Sequence, residues 1–143
     1  MGYRFVFEEE LCMGCFACHT ACLNAHYEVG EERQSYRTVK QVIRVNEAYQ
    51  KKVCPGCIHC GACVQICKSH ALYRDTSTGL VLLHRGKCVG CRACEKVCPI
   101  QVIHFDQESK AAKCDGCITL LNAGKIPACV RNCPVGAIKV EER

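Results

Sequence analysis

Cys88, Cys91, Cys94 and Cys98, in the run CVGCRACEKVCP, set three thiols at three-residue steps and a fourth after a longer gap, closed by Pro99. A C-x2-C-x2-C-x3-C-P run suits a cubane iron–sulfur cluster: three thiolates hold one cluster while the fourth reaches a second. The uneven last gap then has a reason, and so does the proline, which lacks an N–H and turns the chain away. Structural zinc asks for two C-x2-C pairs separated by a longer loop and has no use for a third thiol at the same step. A disulfide framework suits small secreted domains. The opening MGYRFVFEEELC shows no basic segment before a long apolar core, and an odd total of 17 cysteines leaves one unpaired. The chemistry these residues point to is one-electron transfer.

The motif recurs. Motif I is Cys12, Cys15, Cys18 and Cys22; motif II is Cys57, Cys60, Cys63 and Cys67; motif III is the run above. Motif IV is Cys114, Cys117, Cys129 and Cys133, with an eleven-residue loop in place of two residues. Sixteen thiols suffice for four [4Fe-4S] clusters, with iron bound through these cysteines alone. Only Cys54 is left over.

Short apolar strands must position these motifs. Candidates follow motifs II, III and IV at 70–74, 101–105 and 137–140, and precede motifs I and III at 3–7 and 80–83. Asp75-Thr-Ser-Thr-Gly79 is a turn by composition and makes 70–83 a hairpin. Residues 60–66 and 91–97 are expected to wind into short helices. The reading is an α+β fold in which small antiparallel hairpins and short helices, one supersecondary unit repeated, surround four cubane clusters. An aromatic content of 6% with no Trp fits an interior filled largely by cofactor.

Motifs II and III, twenty residues apart with a hairpin between them, make a complete bacterial-ferredoxin-like two-cluster unit at 54–105. Strands 3–7 and 137–140 would close a second such unit from opposite chain ends, built from 1–53 plus 106–143. The fold is then a duplicated ferredoxin-like one. In this nested arrangement Cys12, Cys15, Cys18 and Cys133 bind cluster 1, and Cys114, Cys117, Cys129 and Cys22 bind cluster 2. Cys57, Cys60, Cys63 and Cys98 bind cluster 3, and Cys88, Cys91, Cys94 and Cys67 bind cluster 4. A tandem pairing of I with II and III with IV competes, although thirty-four residues separate the first two motifs.

Cys12-Met-Gly-Cys-Phe-Ala-Cys-His-Thr-Ala-Cys22 with Asn24, and Lys113-Cys-Asp-Gly-Cys117 with Gly124-Lys-Ile-Pro-Ala-Cys-Val130 and Cys133-Pro-Val-Gly-Ala-Ile138, carry a resemblance. Over nearly its whole length the chain resembles the four-cluster electron-transfer subunits of molybdenum- or tungsten-pterin oxidoreductases, such as formate dehydrogenases, dimethyl-sulfoxide-type reductases and aldehyde oxidoreductases. The resemblance implies nested pairing, a non-catalytic role and a large pterin-metal catalytic partner, with a ferredoxin, flavoprotein or hydrogenase as further redox partner. Three features depart from the family pattern: Cys60 and Cys63 are only three positions apart, Cys22 and Cys67 lack a following proline, and the chain is shorter than many relatives. Cys54 stays ambiguous. It is either a free thiol or a ligand beside Cys57, Cys63 and Cys67 in place of Cys60.

The formal charge of +5 counts thiols as neutral. Roughly −2 for each oxidised cluster with its four thiolates takes the total to about −3, which removes the case for nucleic acid. Residues 33–45 alternate apolar and cationic side chains, like a half-buried strand with a solvated basic face or a docking surface for an acidic partner. His19 and His59 lie inside motifs and are candidate hydrogen-bond donors to cluster sulfur, whereas His26, His70, His84 and His104 carry no signal. No phosphate loop or nucleophile–base pair is visible, and the apolar run Gly79–Leu83 is too short to span a bilayer. Cluster assembly in a reducing compartment and the lack of an export signal suggest the cytoplasm. Beside the subunit reading stand a freely diffusing polyferredoxin and a self-stacking, filament-forming scaffold.

Overall fold

The computed structural model describes residues 2–27, 34–43 and 50–142. Strands and α-helices follow one another among the described residues: β1 Tyr3–Phe7, α1 Ala17–His26, β2 Lys40–Ile43, β3 Gln50–Val53, α2 Ala62–Ile66, β4 Leu72–Arg74 and β5 Val81–Leu83. Then come α3 Ala93–Val97, β6 His104–Phe105, β7 Ala111–Ala112, α4 Ile118–Asn122, α5 Ala128–Asn132 and β8 Ile138–Glu142. Every described ladder has two strands and runs antiparallel: β1 with β8, β2 with β3, β4 with β5, and β6 with β7. Two-stranded ribbons and five-residue helices are marginal alone, so packing around the cysteine cages must hold them.

The first and last strands meet in register, Tyr3 opposite Glu142 and Phe7 opposite Ile138, and the Glu8 N–H donates to the Ala137 carbonyl at 2.7 Å. Helix α1 packs on α5, and α2 on α3. The hairpin expected over 70–83 is β4–β5. Asp75 builds its turn, its Oδ2 accepting from the Ser77 hydroxyl at 2.7 Å and the Thr78 N–H at 3.0 Å. Tyr3 N–H donates across to the Thr78 carbonyl, which ties β1 to that turn. Phe5, Leu80 and Leu121 form a core cluster at the same joint, drawn from β1, the β4–β5 hairpin and α4.

Several expected strands come out shorter, 70–74 and 80–83 among them, which pair only over Leu72–Arg74 and Val81–Leu83. Of 101–105 only His104 and Phe105 pair, with β7, because Val102 and Ile103 are buried against the neighbouring cage and do not extend a ladder. Of 33–45 only 40–43 is strand, and residues 33, 44 and 45 lie outside the described part. That stretch is not an even basic face. Arg37 is buried and turned inward, its Nε and Nη2 donating to the Cys54 carbonyl at 2.9 and 2.6 Å, and Lys40 pairs with Glu9 at 3.1 Å. Among the described residues no helix is long and apolar enough to cross a membrane.

Candidate iron–sulfur centre

Each motif bends the same way. The residue before the second cysteine has a left-handed backbone in all four: Gly14, His59, Gly90 and Gly116, with φ of 72, 56, 73 and 72°. A Cβ at Gly90 would lie 2.5 Å from the Ser109 carbonyl oxygen, and one at Gly14 would collide with the Lys52 carbonyl. Glycine is therefore required there by conformation and by space. After the second cysteine of motifs I to III comes another left-handed residue, Phe16, Gly61 or Arg92, and a helix starts on the alanine that follows. Three residues past the fourth cysteine of motifs II to IV the backbone turns left-handed again, at His70, Gln101 and Gly136. These turns curl the chain so that successive thiols and backbone N–H groups face one centre. Such N–H groups donate to sulfur, among them His59 to Cys57 at 3.3 Å, Ala111 to Cys88 at 3.3 Å, Gly116 to Cys114 at 3.2 Å and Ala137 to Cys133 at 3.3 Å.

One cavity, with about 310 Å³ of empty space partly open to solvent, is lined by Cys12, Cys15 and Cys18 together with Cys133 from the other end of the chain. Cys54 lines it too, beside Phe7 and Ile138. A second, of about 360 Å³, is lined by Cys57, Cys60, Cys63 and Cys98, with Val81, Ile103 and Lys113 in its wall. Cys117 has Cys129 and Cys22 as electrostatic neighbours, and Cys114 has Cys129 and, across the next boundary, Cys57. Cys94 neighbours Cys91 and Cys63 and shares a buried cluster with Cys88, against which Cys67 packs. Cys54 thus sits in the cavity of motif I and not in that of motif II.

Burial pushes several of these thiols up: Cys18, Cys22, Cys63 and Cys129 above their ordinary range, Cys94 and Cys117 to about 11, Cys54 to about 12. Burial acts upward on Cys67 and Cys133 as well. There it is outweighed, by the Ser69 hydroxyl and nearby backbone N–H groups at Cys67 and by the N–H groups of residues 135–138 at Cys133, and both thiols fall below the usual range. Two buried cations favour thiolate. Arg37 acts on Cys18, Cys22 and Cys129, and Lys113 on Cys63 and Cys114. Lys113 Nζ donates to the Val81 carbonyl at 2.6 Å and to the Cys114 carbonyl.

His59 is 6% exposed and takes the left-handed position that the other three motifs give to glycine. Its Nδ1 accepts from the Val81 N–H at 3.0 Å, which leaves the proton on Nε2, the one buried side-chain polar atom among the described residues with no partner. Burial, with Lys113 second, lowers its pKa to about 3, so the ring is neutral. An orphaned donor in the wall of a four-thiol cavity fits a sulfur-rich anion, as do the N–H···S bonds and the two buried cations.

Sequence reasoning passed over three residues. His26 Nε2 lies 3.6 Å from Cys117 Sγ and 3.9 Å from Asp115 Oδ1, with the ring packed on Tyr36 at 4.8 Å. It stands 91 positions from Cys117 along the chain, which hid it. Arg37 carried no local signal, and Lys113 was visible only as the residue before Cys114. His19 lies on α1 and is half-buried, and its backbone N–H is hydrogen-bonded to the Cys18 sulfur.

Residues 45–143 match one family described as a 4Fe-4S dicluster domain, and residues 4–68 match a second of the same description. The protein NrfC of Escherichia coli K12 is 36% identical, over 95% of this chain and 63% of NrfC. The thiosulfate reductase electron transfer subunit PhsB of Salmonella typhi is 33% identical over 96% of this chain and 74% of its own length. A component chain of the anaerobic dimethyl sulfoxide reductase of Haemophilus influenzae is 30% identical, over 95% of this chain and 72% of its own length. The chain spans less than two thirds of the length of NrfC.

Proposed function

The chain belongs to the 4Fe-4S dicluster family of iron–sulfur electron-transfer proteins and carries four [4Fe-4S] clusters, and on that premise we propose that it is the non-catalytic wire of an oxidoreductase complex. It would relay single electrons between a large molybdenum- or tungsten-pterin catalytic chain and a second redox partner. The names of PhsB, an electron transfer subunit, and of the dimethyl sulfoxide reductase component support this partner class. Clusters of this kind, when bound, supply one-electron redox steps and no open coordination position for substrate.

The chain's own residues would hold them in the nested order. Cys12, Cys15, Cys18 and Cys133 hold cluster 1; Cys114, Cys117, Cys129 and Cys22 cluster 2; Cys57, Cys60, Cys63 and Cys98 cluster 3; Cys88, Cys91, Cys94 and Cys67 cluster 4. The observation that carries this is the cavity shared by three thiols of motif I and Cys133, brought together by the β1–β8 pairing. The cavity joining Cys57, Cys60 and Cys63 to Cys98, and the packing of α1 on α5 and α2 on α3, support it further. The four cages form a row: α1 and α5 link 1 to 2, Cys114 and Cys57 link 2 to 3, and Cys63 and Cys94 link 3 to 4. Arg37 offsets charge between the first pair and Lys113 between the middle pair, while His59 orients its Nε2–H within the cluster 3 wall. Met13 and Val89, 59% and 72% exposed, cap cages 1 and 4 with apolar contact surface.

Iron and acid-labile sulfide should be found at about 16 each per chain in anaerobic preparations. Purification from the source organism, followed by mass spectrometry, is expected to recover a large catalytic chain in stable complex. A monomer with no companion would favour the diffusing shuttle, and open-ended particles in negative stain the self-stacking scaffold. Assembly in the cytoplasm is the matching proposal, tested by fractionation.

A further inference from the structure

The cavity of motif I contains five thiols, although a cubane cluster takes four. The fifth is Cys54, 1% exposed and packed in one core cluster with Cys18, Cys129 and Ile138. Its backbone is fixed. Arg37 clamps the Cys54 carbonyl with two hydrogen bonds at 2.9 and 2.6 Å, and Arg37 also bridges to Gly56, where a side chain would collide with the guanidinium. The clamp holds only the main chain and leaves rotation about Cα–Cβ to the thiol. Cys54 and Cys18 share a sulfur–sulfur hydrogen bond, and Cys12 is its next thiol neighbour. A cysteine kept merely as a small apolar filler would have no need of a clamped backbone beside a ligand cage.

We propose that Cys54 is a reserve ligand for cluster 1, able to take the iron of Cys18 when that thiolate is lost. The exchange is a ligand substitution: the bond from iron to Cys18 sulfur breaks and that thiolate takes a proton from water, a bond forms between Cys54 sulfur and the vacated iron, the Cys54 proton passes to water, and no electron moves. In the intact protein Cys54 remains a thiol beside Cys18. The proposal rests on the assignment of Cys12, Cys15, Cys18 and Cys133 to one cluster, and it rules out Cys54 as a resident ligand in place of Cys60.

The test compares the full chain with Cys54→Ser, Cys18→Ala and the double variant, each prepared anaerobically and assayed for iron, sulfide and the paramagnetic signal after reduction. The expected result is about 16 iron in the parent, Cys54→Ser and Cys18→Ala, and about 12 in the double variant, one cluster fewer. Cys18→Ala should also alter the signal of one cluster alone. About 12 iron in Cys18→Ala with Cys54 present would overturn the proposal, and so would about 12 in Cys54→Ser. If Cys18→Ala yields no soluble protein, Cys18→Gly with and without Cys54→Ser vacates the same iron, and loss of one cluster while Cys54 is present counts against the proposal. A parent far from 16 iron would sink the cage assignment itself, an outcome distinct from the others.

Discussion

At the scale of single residues, the cages owe their character to groups that are not ligands. His59 accepts strain that glycine avoids at the matching place, and it is buried, neutral and left with one free donor. A hydrogen bond to sulfur stabilises the more negative, reduced state. His59→Phe should therefore lower the potential of one cluster by roughly 40 mV, the one-electron equivalent of about 1 kcal/mol, and His59→Asn should recover part of it. Redox titration followed by paramagnetic resonance reads both. The raised thiols give a second expectation. With their pKa values above the ordinary range, binding iron must release protons, so affinity is greatest at high pH and falls as pH drops. Reconstitution of the apoprotein should proceed at about pH 8.5 and fail progressively toward about pH 6.5, followed by visible absorption. At this scale the sequence was legible wherever spacing encodes chemistry, as in the repeated cysteine motifs that announce the 4Fe-4S dicluster domains. It was silent where a residue acts across space: Arg37 reads as a surface base and His26 as noise, because the thiols that give each its role come largely from distant parts of the chain.

Among the elements, hairpins and single-turn helices have too little apolar surface to stand alone, and the joint of Phe5, Leu80 and Leu121 matters out of proportion to its size. Leu80 is fully buried, and Leu80→Ala should cost about 3 kcal/mol, read by anaerobic denaturant titration of the loaded protein. The β4–β5 hairpin and helices α2 and α3 could be read in advance from a turn signal and from thiol spacing. The β6–β7 ribbon could not, since two paired residues on each side carry no periodicity. Nor could the end of the strand at 101–105 be placed, because Val102 and Ile103 have strand-like chemistry but are buried by a cage wall instead.

For the whole molecule, the proposed row of cages would end in exposed apolar rims at Met13 and Val89. On the proposed function, electrons would enter and leave through such places, where a partner excludes water. Met13→Glu or Val89→Glu should slow exchange with the corresponding partner about tenfold, the effect of losing one good contact, while leaving every cluster potential unchanged. Stopped-flow reduction of the complex separates the two ends. The pairing of the first strand with the last has a bearing on biogenesis as well. On the nested assignment, the ligands of the inner cages have all left the ribosome once Cys98 has emerged, whereas the outer cages wait for Cys129 and Cys133. Maturation factors would then meet a nascent chain that can be half loaded, and the thiols of motif I need shielding from oxidants until motif IV has emerged.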